Sequence, residues 1–170
     1  HLSAVNWYRN RKNSATDRIE FIHHLRYTGD EDGLAEVLLT EGRGLISSGH
    51  TELLSILNSL ESDDFDPMSW GLIRELRGDI LTIQGRWDEA EIEYDAATKR
   101  IEGSEPSKEL ARLLSARADI AVKRGAMDDA LELHRNALKI QVDIRDALGA
   151  SKSYNNMGSI IRRRKDLRRA

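Results

Sequence analysis

The chain has 170 residues, enough for one domain or one continuous array of repeats around an apolar core. Apolar residues make up 39% and charged residues 32%, and an aromatic content of 5% is low for a sheet protein, so the composition favours helices. A net charge of −3 gives no global attraction to nucleic acid or anionic membrane, the lack of cysteine excludes disulfides and thiolate metal sites, and no run of about 18 apolar residues is present to span a bilayer.

The absence of cysteine fits a reducing compartment, and a cytoplasmic location is expected. The opening HLSAVNWYRN has neither methionine nor a signal-peptide pattern and begins inside an amphipathic stretch, so we read the chain as a piece of a longer protein. A first helix is expected over residues 2–11, with Leu2, Val5 and Trp7 inward. The turn KNSATD, 12–17, supplies N-cap residues for a second helix. That helix carries Ile19, Phe21, Ile22 and Leu25 and ends at TGDED, 28–32. A third helix, 34–47, buries Leu34, Val37, Leu38, Leu45 and Ile46; Gly42-Arg43-Gly44 interrupts it near its C-terminal end, and Gly49 stops it. A fourth, 50–60, presents Leu53, Leu54, Ile56, Leu57 and Leu60. In the acidic connector SDDFDP, 62–67, Asp66 or the following Ser69 is placed to cap the next helix, and Pro67 suits a first helical turn.

From here the sequence repeats itself. RGDILTIQGRWDEAEIEYDAATKRIE, 77–102, is echoed by RADIAVKRGAMDDALELHRNALKIQV, 117–142, at a constant offset of 40. Gly78 maps to Ala118, Ile80 to Ile120, Gly85 to Gly125, Ala90 to Ala130 and Ala97 to Ala137. A second step of 40 takes Ala118 to Gly158, Ile120 to Ile160, Met127 to Leu167 and Ala130 to Ala170. Each copy reads as a helical hairpin. Small residues let two helices approach closely, Gly85 and Gly125 end the first helix in a left-handed conformation, and Trp87 and Met127 plug the turn. Acids at Asp88, Glu89, Asp128 and Asp129 suit the first turn of the second helix. In the third copy Lys165 stands where the turn glycine is expected. One hairpin cannot bury its apolar face alone, so the units must stack.

The pattern G-x-I-x4-G-x-W-x-x-A-x3-Y-x2-A resembles a tetratricopeptide repeat of a longer kind, and YNNMGSI, 154–160, is similar to the opening of such repeats. The usual large aromatic of the first helix is replaced by Leu81, Ala121 and Ile161. In the first half, Ala4, Trp7 and Tyr8, then Ile19, His24, Leu25, Gly29 and Asp30, then Leu38, Gly42, Leu45, Ile46, Ser47, Gly49, Leu53 and Leu54 follow each other in a telling order. That order is similar to the helical region after the ATPase module of signal-transduction ATPases with numerous domains (STAND). The resemblance implies an all-α, superhelical array of antiparallel hairpins, a TPR-like α-solenoid of about eight helices. Degenerate hairpins would fill 1–68 and repeats 69–170, at about 69–105, 106–147 and 148–170, in one continuous array. It also implies a sensor or arm that binds an effector or partner, with nucleotide switching upstream.

No catalytic chemistry is expected. Gly42-Arg43-Gly44 lacks the Lys and Ser or Thr that continue a phosphate-binding loop. Glu20 with His23 has the spacing of half a helical carboxylate–histidine metal site, but the other half is missing. Ser, His and Asp residues lie outside any nucleophile-elbow context. The tail RRRKDLRR, 162–169, is basic, yet without interleaved aromatics it reads as a solvated helix face. No cofactor or metal is therefore expected, and nucleic acid and membrane are not expected partners. A protein or peptide partner, or a small-molecule effector, is expected instead. It would lie along the first helices of successive hairpins, which line the concave side of a solenoid. The groove residues are Glu75, Asp79 and Thr82, then Arg112, Ser115 and Asp119, then Lys152, Asn155, Ser159 and Arg162, grading from acidic to basic. Exposed array ends also point to self-association as a homodimer.

Overall fold

Good helix formers along the whole chain are realised as helices: in the computed structural model, which describes residues 1–9, 14–101 and 105–167, no strand occurs among the described residues. Two compact units follow each other, His1–Arg86 and Trp87–Ala170.

The first unit runs α1 (Leu2–Arg9), α2 (Ala15–Leu25), α3 (Glu31–Val37), α4 (Arg43–Ser47), α5 (Leu53–Leu57) and α6 (Pro67–Ile83). Ser14 opens α2 with a capping box: its hydroxyl accepts from the Asp17 amide while the Asp17 carboxylate accepts from the Ser14 amide, an arrangement that stabilises by about 1 kcal/mol. Asp66 caps α6 by accepting from the amides of Met68 and Ser69, with Pro67 in the first turn, as expected. The apolar stripe of α2 is buried at Ile19, Phe21, Ile22 and Leu25.

Four expectations need correction. In α1 only Val5 is buried, whereas Leu2 is 68% and Trp7 49% exposed. This eight-residue helix packs chiefly against α2, so one stripe is covered. Residues 10–13, where the end of this helix and the start of the following turn were expected, lie outside the described residues. Second, Gly42-Arg43-Gly44 does not break its helix. α3 passes through a π-turn, Leu38–Gly42, straight into α4. The Thr40 hydroxyl donates to the carbonyls of Glu36 and Val37, and Gly42 packs so closely on Leu76 that a Cβ would come within 2.9 Å of its Cδ1. Third, the fourth helix is regular only over Leu53–Leu57. No side chain caps its start, and Ser55 and Ser59 donate back to the carbonyls of Glu52 and Ile56, competing with the helix ladder. Fourth, with α3 and α4 counted as one rod, nine helices are described where about eight were expected.

α6 packs on the π-turn, α4 and α5. Its buried Arg77 donates to the carbonyls of Leu57 (2.6 Å), which also accepts from the Leu60 amide, and Leu60 (3.2 Å), tying α6 to the chain just after α5. Its guanidinium also sits 4.9 Å from the Trp70 ring centroid.

The second unit comprises α7 (Trp87–Ile101), α8 (Lys108–Lys123), α9 (Met127–Asp143) and α10 (Ala147–Leu167). Each helix runs antiparallel to the one before. Arg124 pairs with Asp88 and Glu91, and Arg117 with Asp95 at 3.4 Å, so α8 descends as α7 ascends. Likewise Ser153 donates to Gln141 at 2.8 Å and Arg164 pairs with Asp128 at 2.6 Å, which sets α10 against α9. The pairs Arg124–Asp88 and Arg164–Asp128 are separated by the 40-residue period found in the sequence. Ala90, Ala97, Ala118, Ala130 and Ala137 are all fully buried, as close helix approach requires. Trp87 is 37% exposed and lies beside Lys123 Nζ instead of plugging its turn, whereas Met127 is buried as expected. Lys165 lies within α10, which runs on to Leu167, so no turn forms where the third copy places one. The expected repeat position Ala170 lies outside the described residues.

One turn geometry recurs. Gly49, Gly85 and Gly125 have φ of +94, +75 and +81°, each with the amide of the next residue reaching back five residues: His50 to Leu45, Arg86 to Leu81, Ala126 to Ala121. The turn between α9 and α10 repeats it with Asp146 donating to Gln141, but its left-handed residue is Arg145 at φ 59°.

Candidate functional site

α8 and α10, whose N-terminal ends lie about one period apart, line a cleft of about 220 Å³ with the α9–α10 turn. Lys108, Arg112 and Ser115 come from α8. Gln141 and Asp146 come from α9 and the turn; Leu148, Gly149, Lys152, Ser153 and Asn156 come from α10. Helical geometry explains the set, since Lys108 and Arg112, and Leu148 and Lys152, are spaced four apart on one face.

Three cations border the cleft against one carboxylate. That carboxylate, Asp146, is engaged in accepting from the Gly149 amide at 3.1 Å, which caps α10. The floor is held by the buried Ser153–Gln141 hydrogen bond. Ser115 donates to the Ala111 carbonyl at 3.0 Å, and Leu148, 66% exposed, adds an apolar rim. The arrangement offers charge, amide donors and acceptors and a hydrophobic edge on rigid helices, which is the equipment for holding a segment of another molecule. No group of three or more His, Asp or Glu among the described residues is placed to hold a metal ion. No helix among them is long and apolar enough to cross a membrane.

Of the ten residues expected to form the groove, Arg112, Ser115 and Lys152 come together in this cleft. Asp119, Asn155, Ser159 and Arg162 lie farther along α8 and α10, all exposed; Ser159 donates to the Asn155 carbonyl at 3.0 Å and Arg162 to the Ser159 hydroxyl at 3.3 Å. Glu75 is placed otherwise. It is 3% exposed, and Arg43 donates to it at 2.8 Å, so it holds α6 to the π-turn region instead of facing a partner. Asp79 and Thr82 are half-buried on α6, in the first unit. The acidic end of the expected gradient therefore loses its glutamate to packing. Lys108, Asp146 and Leu148 were missed by sequence reasoning. Extending the Arg112 and Lys152 faces one turn toward the N-terminus would have found Lys108 and Leu148.

One further polar feature lies beneath α8. His134 of α9 is fully buried with neither ring nitrogen in hydrogen-bond reach of another described residue, and its Nε2 is 3.9 Å from the Asp119 carboxylate. Burial pushes the imidazole below its ordinary 6.5, and the Asp119 charge offsets part of that shift.

Neither a family model nor a curated protein matches this sequence. A crystal structure of BtubC (BKLC) from P. vanneervenii is similar to it, with a TM-score of 0.61 at 24% sequence identity, over 92% of this chain and 66% of that chain. This chain thus spans about two thirds of that protein's length, and the likeness is one of helical fold.

Proposed function

We propose that this chain is a protein-interaction module, a tetratricopeptide-like solenoid of stacked hairpins that holds a partner segment in the cleft between α8 and α10. The observation that carries the reading is the convergence of Arg112, Ser115 and Lys152, from two helices one repeat apart, on one rigid cleft. Cations and amides around an apolar edge suit an extended peptide, whose backbone needs donors and acceptors and whose side chains need a surface to rest on. The order of motifs over residues 4–54 supports a setting in a larger cytoplasmic regulatory protein of the STAND kind, where the module is the effector-sensing arm. Without a linked ATPase, the same cleft serves a general scaffold.

Peptides selected from a random displayed library on the intact chain test the binding claim. The double substitution Arg112→Ala with Lys152→Ala is expected to weaken the selected peptides roughly tenfold or more, in line with loss of central anchors. Undiminished binding would remove the cleft from the account. The ATPase setting is tested by the gene itself, since the absence of a nucleotide-binding module and winged helix upstream of the His1 codon removes it.

A further inference from the structure

The floor of the α8–α10 cleft contains a buried amide. Gln141, near the C-terminal end of α9, is 5% exposed and yet lines the cleft. Its Oε1 accepts from the Ser153 hydroxyl at 2.8 Å, which fixes the amide plane, and its Nε2 finds no acceptor among the described residues. Gly149 leaves room for this group, since a Cβ there would lie 3.1 Å from Gln141 Cδ. A buried donor left without an acceptor is costly, and an incoming oxygen relieves that cost. At the rim stand Lys108, Arg112 and Lys152. Neither lysine is held in an ion pair among the described residues. Asp146, the single carboxylate of the lining, has one oxygen committed to the Gly149 amide. In the 40-residue register, α8 meets the helix after it through Ala121 and Val122, packed on Met127, Ala130 and Leu131. Their counterparts on α10 are Ile161 and Arg162. Neither lines the cleft, so a helix following α10 in the same register leaves the cleft open.

Taking the cleft as the partner-binding site proposed above, we infer that it selects an acidic residue of the partner segment, whose carboxylate accepts from the Gln141 amide at the floor. The second carboxylate oxygen turns to the cations of the rim, and an apolar residue beside the acid rests on Leu148, one turn before Lys152. Depth divides the work between floor and rim. Lys108 and Lys152 are exposed, so water and salt screen them, and they draw in an anion without fixing its place. Gln141 is shielded from water, where a hydrogen bond to a charged oxygen gains strength, and it fixes where the acid sits. A phosphoryl group fits less well. It brings a second charge toward Asp146 and a third oxygen, while the floor presents one amide donor.

The test uses the intact chain and labelled nonapeptide pools with degenerate flanks around a fixed central glutamate, glutamine or phosphoserine, followed by fluorescence anisotropy. The glutamate pool is expected to bind roughly tenfold or more tighter than the glutamine pool. Gln141→Glu keeps the side-chain volume and the acceptor for Ser153 but puts a carboxylate oxygen where the donor stood. It is expected to erase the preference while leaving the glutamine pool unchanged, with circular dichroism verifying the fold. Lys108→Gln with Lys152→Gln, both at exposed positions, covers the case in which Gln141→Glu fails to fold, and is expected to bring the two pools within about threefold. Absent binding, glutamate and glutamine pools that bind alike, or a preference that survives these variants overturns the inference. So does a phosphoserine pool that binds tenfold tighter than the glutamate pool. If the library-selected peptides still bind and still need Arg112 and Lys152, the partner-binding reading survives that failure; if they do not, both fall.

Discussion

Arg145 sits at φ 59° in a turn whose counterparts all use glycine, Gly49, Gly85 and Gly125. The left-handed conformation crowds a Cβ against the following carbonyl, so the wild-type side chain carries a cost that glycine would not. Arg145→Gly is expected to raise stability by about 0.5–1 kcal/mol in urea denaturation; an unchanged or lower midpoint would show that the arginine makes contacts that offset its strain. His134 makes a second prediction. Its folded-state proton affinity is depressed by burial, so above about pH 6.5 both states hold it neutral, and below that the unfolded chain takes up a proton the folded chain resists. Stability is therefore expected to fall as pH drops from 7.5 to 5.5, and His134→Leu is expected to flatten that slope. Parallel slopes in the two proteins would assign the acid sensitivity elsewhere.

At the level of helices, equivalent positions have unequal burdens. Ala118 is fully buried on α8, and enlarging it to leucine is expected to cost about 2 kcal/mol in thermal or urea unfolding. Its counterpart Gly158 faces open space, and leucine there is expected to be neutral or to stabilise by about 0.5–1 kcal/mol through helix propensity. Equal effects at the two positions would contradict the repeat register. In the first unit, Arg77→Met keeps the packing volume but takes the Arg77 donor from the Leu60 carbonyl and one of two donors from the Leu57 carbonyl, which still accepts from the Leu60 amide, and is expected to cost about 1–2 kcal/mol. A loss below about 0.5 kcal/mol would show that water replaces it.

These elements also show what the residue order could and could not convey. The hairpin turns at Gly85 and Gly125 and the buried alanines were legible, because a left-handed turn and a close helix approach each demand a narrow set of side chains. The stripe of α2 was legible for the same reason, through its 3.6-residue period. The π-turn was not: Gly42 reads as a helix breaker, and only the position of Leu76 explains why the helix absorbs it. Trp87 was misplaced because a large apolar side chain beside a turn usually packs inward, while here it lies along Lys123 at the surface. Glu75 was misplaced because its partner Arg43 is remote in sequence, and an ion pair of that kind leaves no local pattern.

Across the whole chain, the account joins a repeat found in the sequence to a cleft found between two of its copies. Three of ten expected groove residues meet in that cleft, and the second unit keeps the period in its ion pairs as well as in its buried alanines. The proposed function stands on the cleft holding a partner segment, so mapping where a bound segment touches the chain tests it most directly. Backbone and side-chain NMR shifts of the intact chain, titrated with a peptide selected on it, are predicted to move at Lys108, Arg112, Ser115, Leu148, Lys152 and Asn156. Shifts confined to α1–α6, with α8 and the first half of α10 unmoved at saturation, would contradict it.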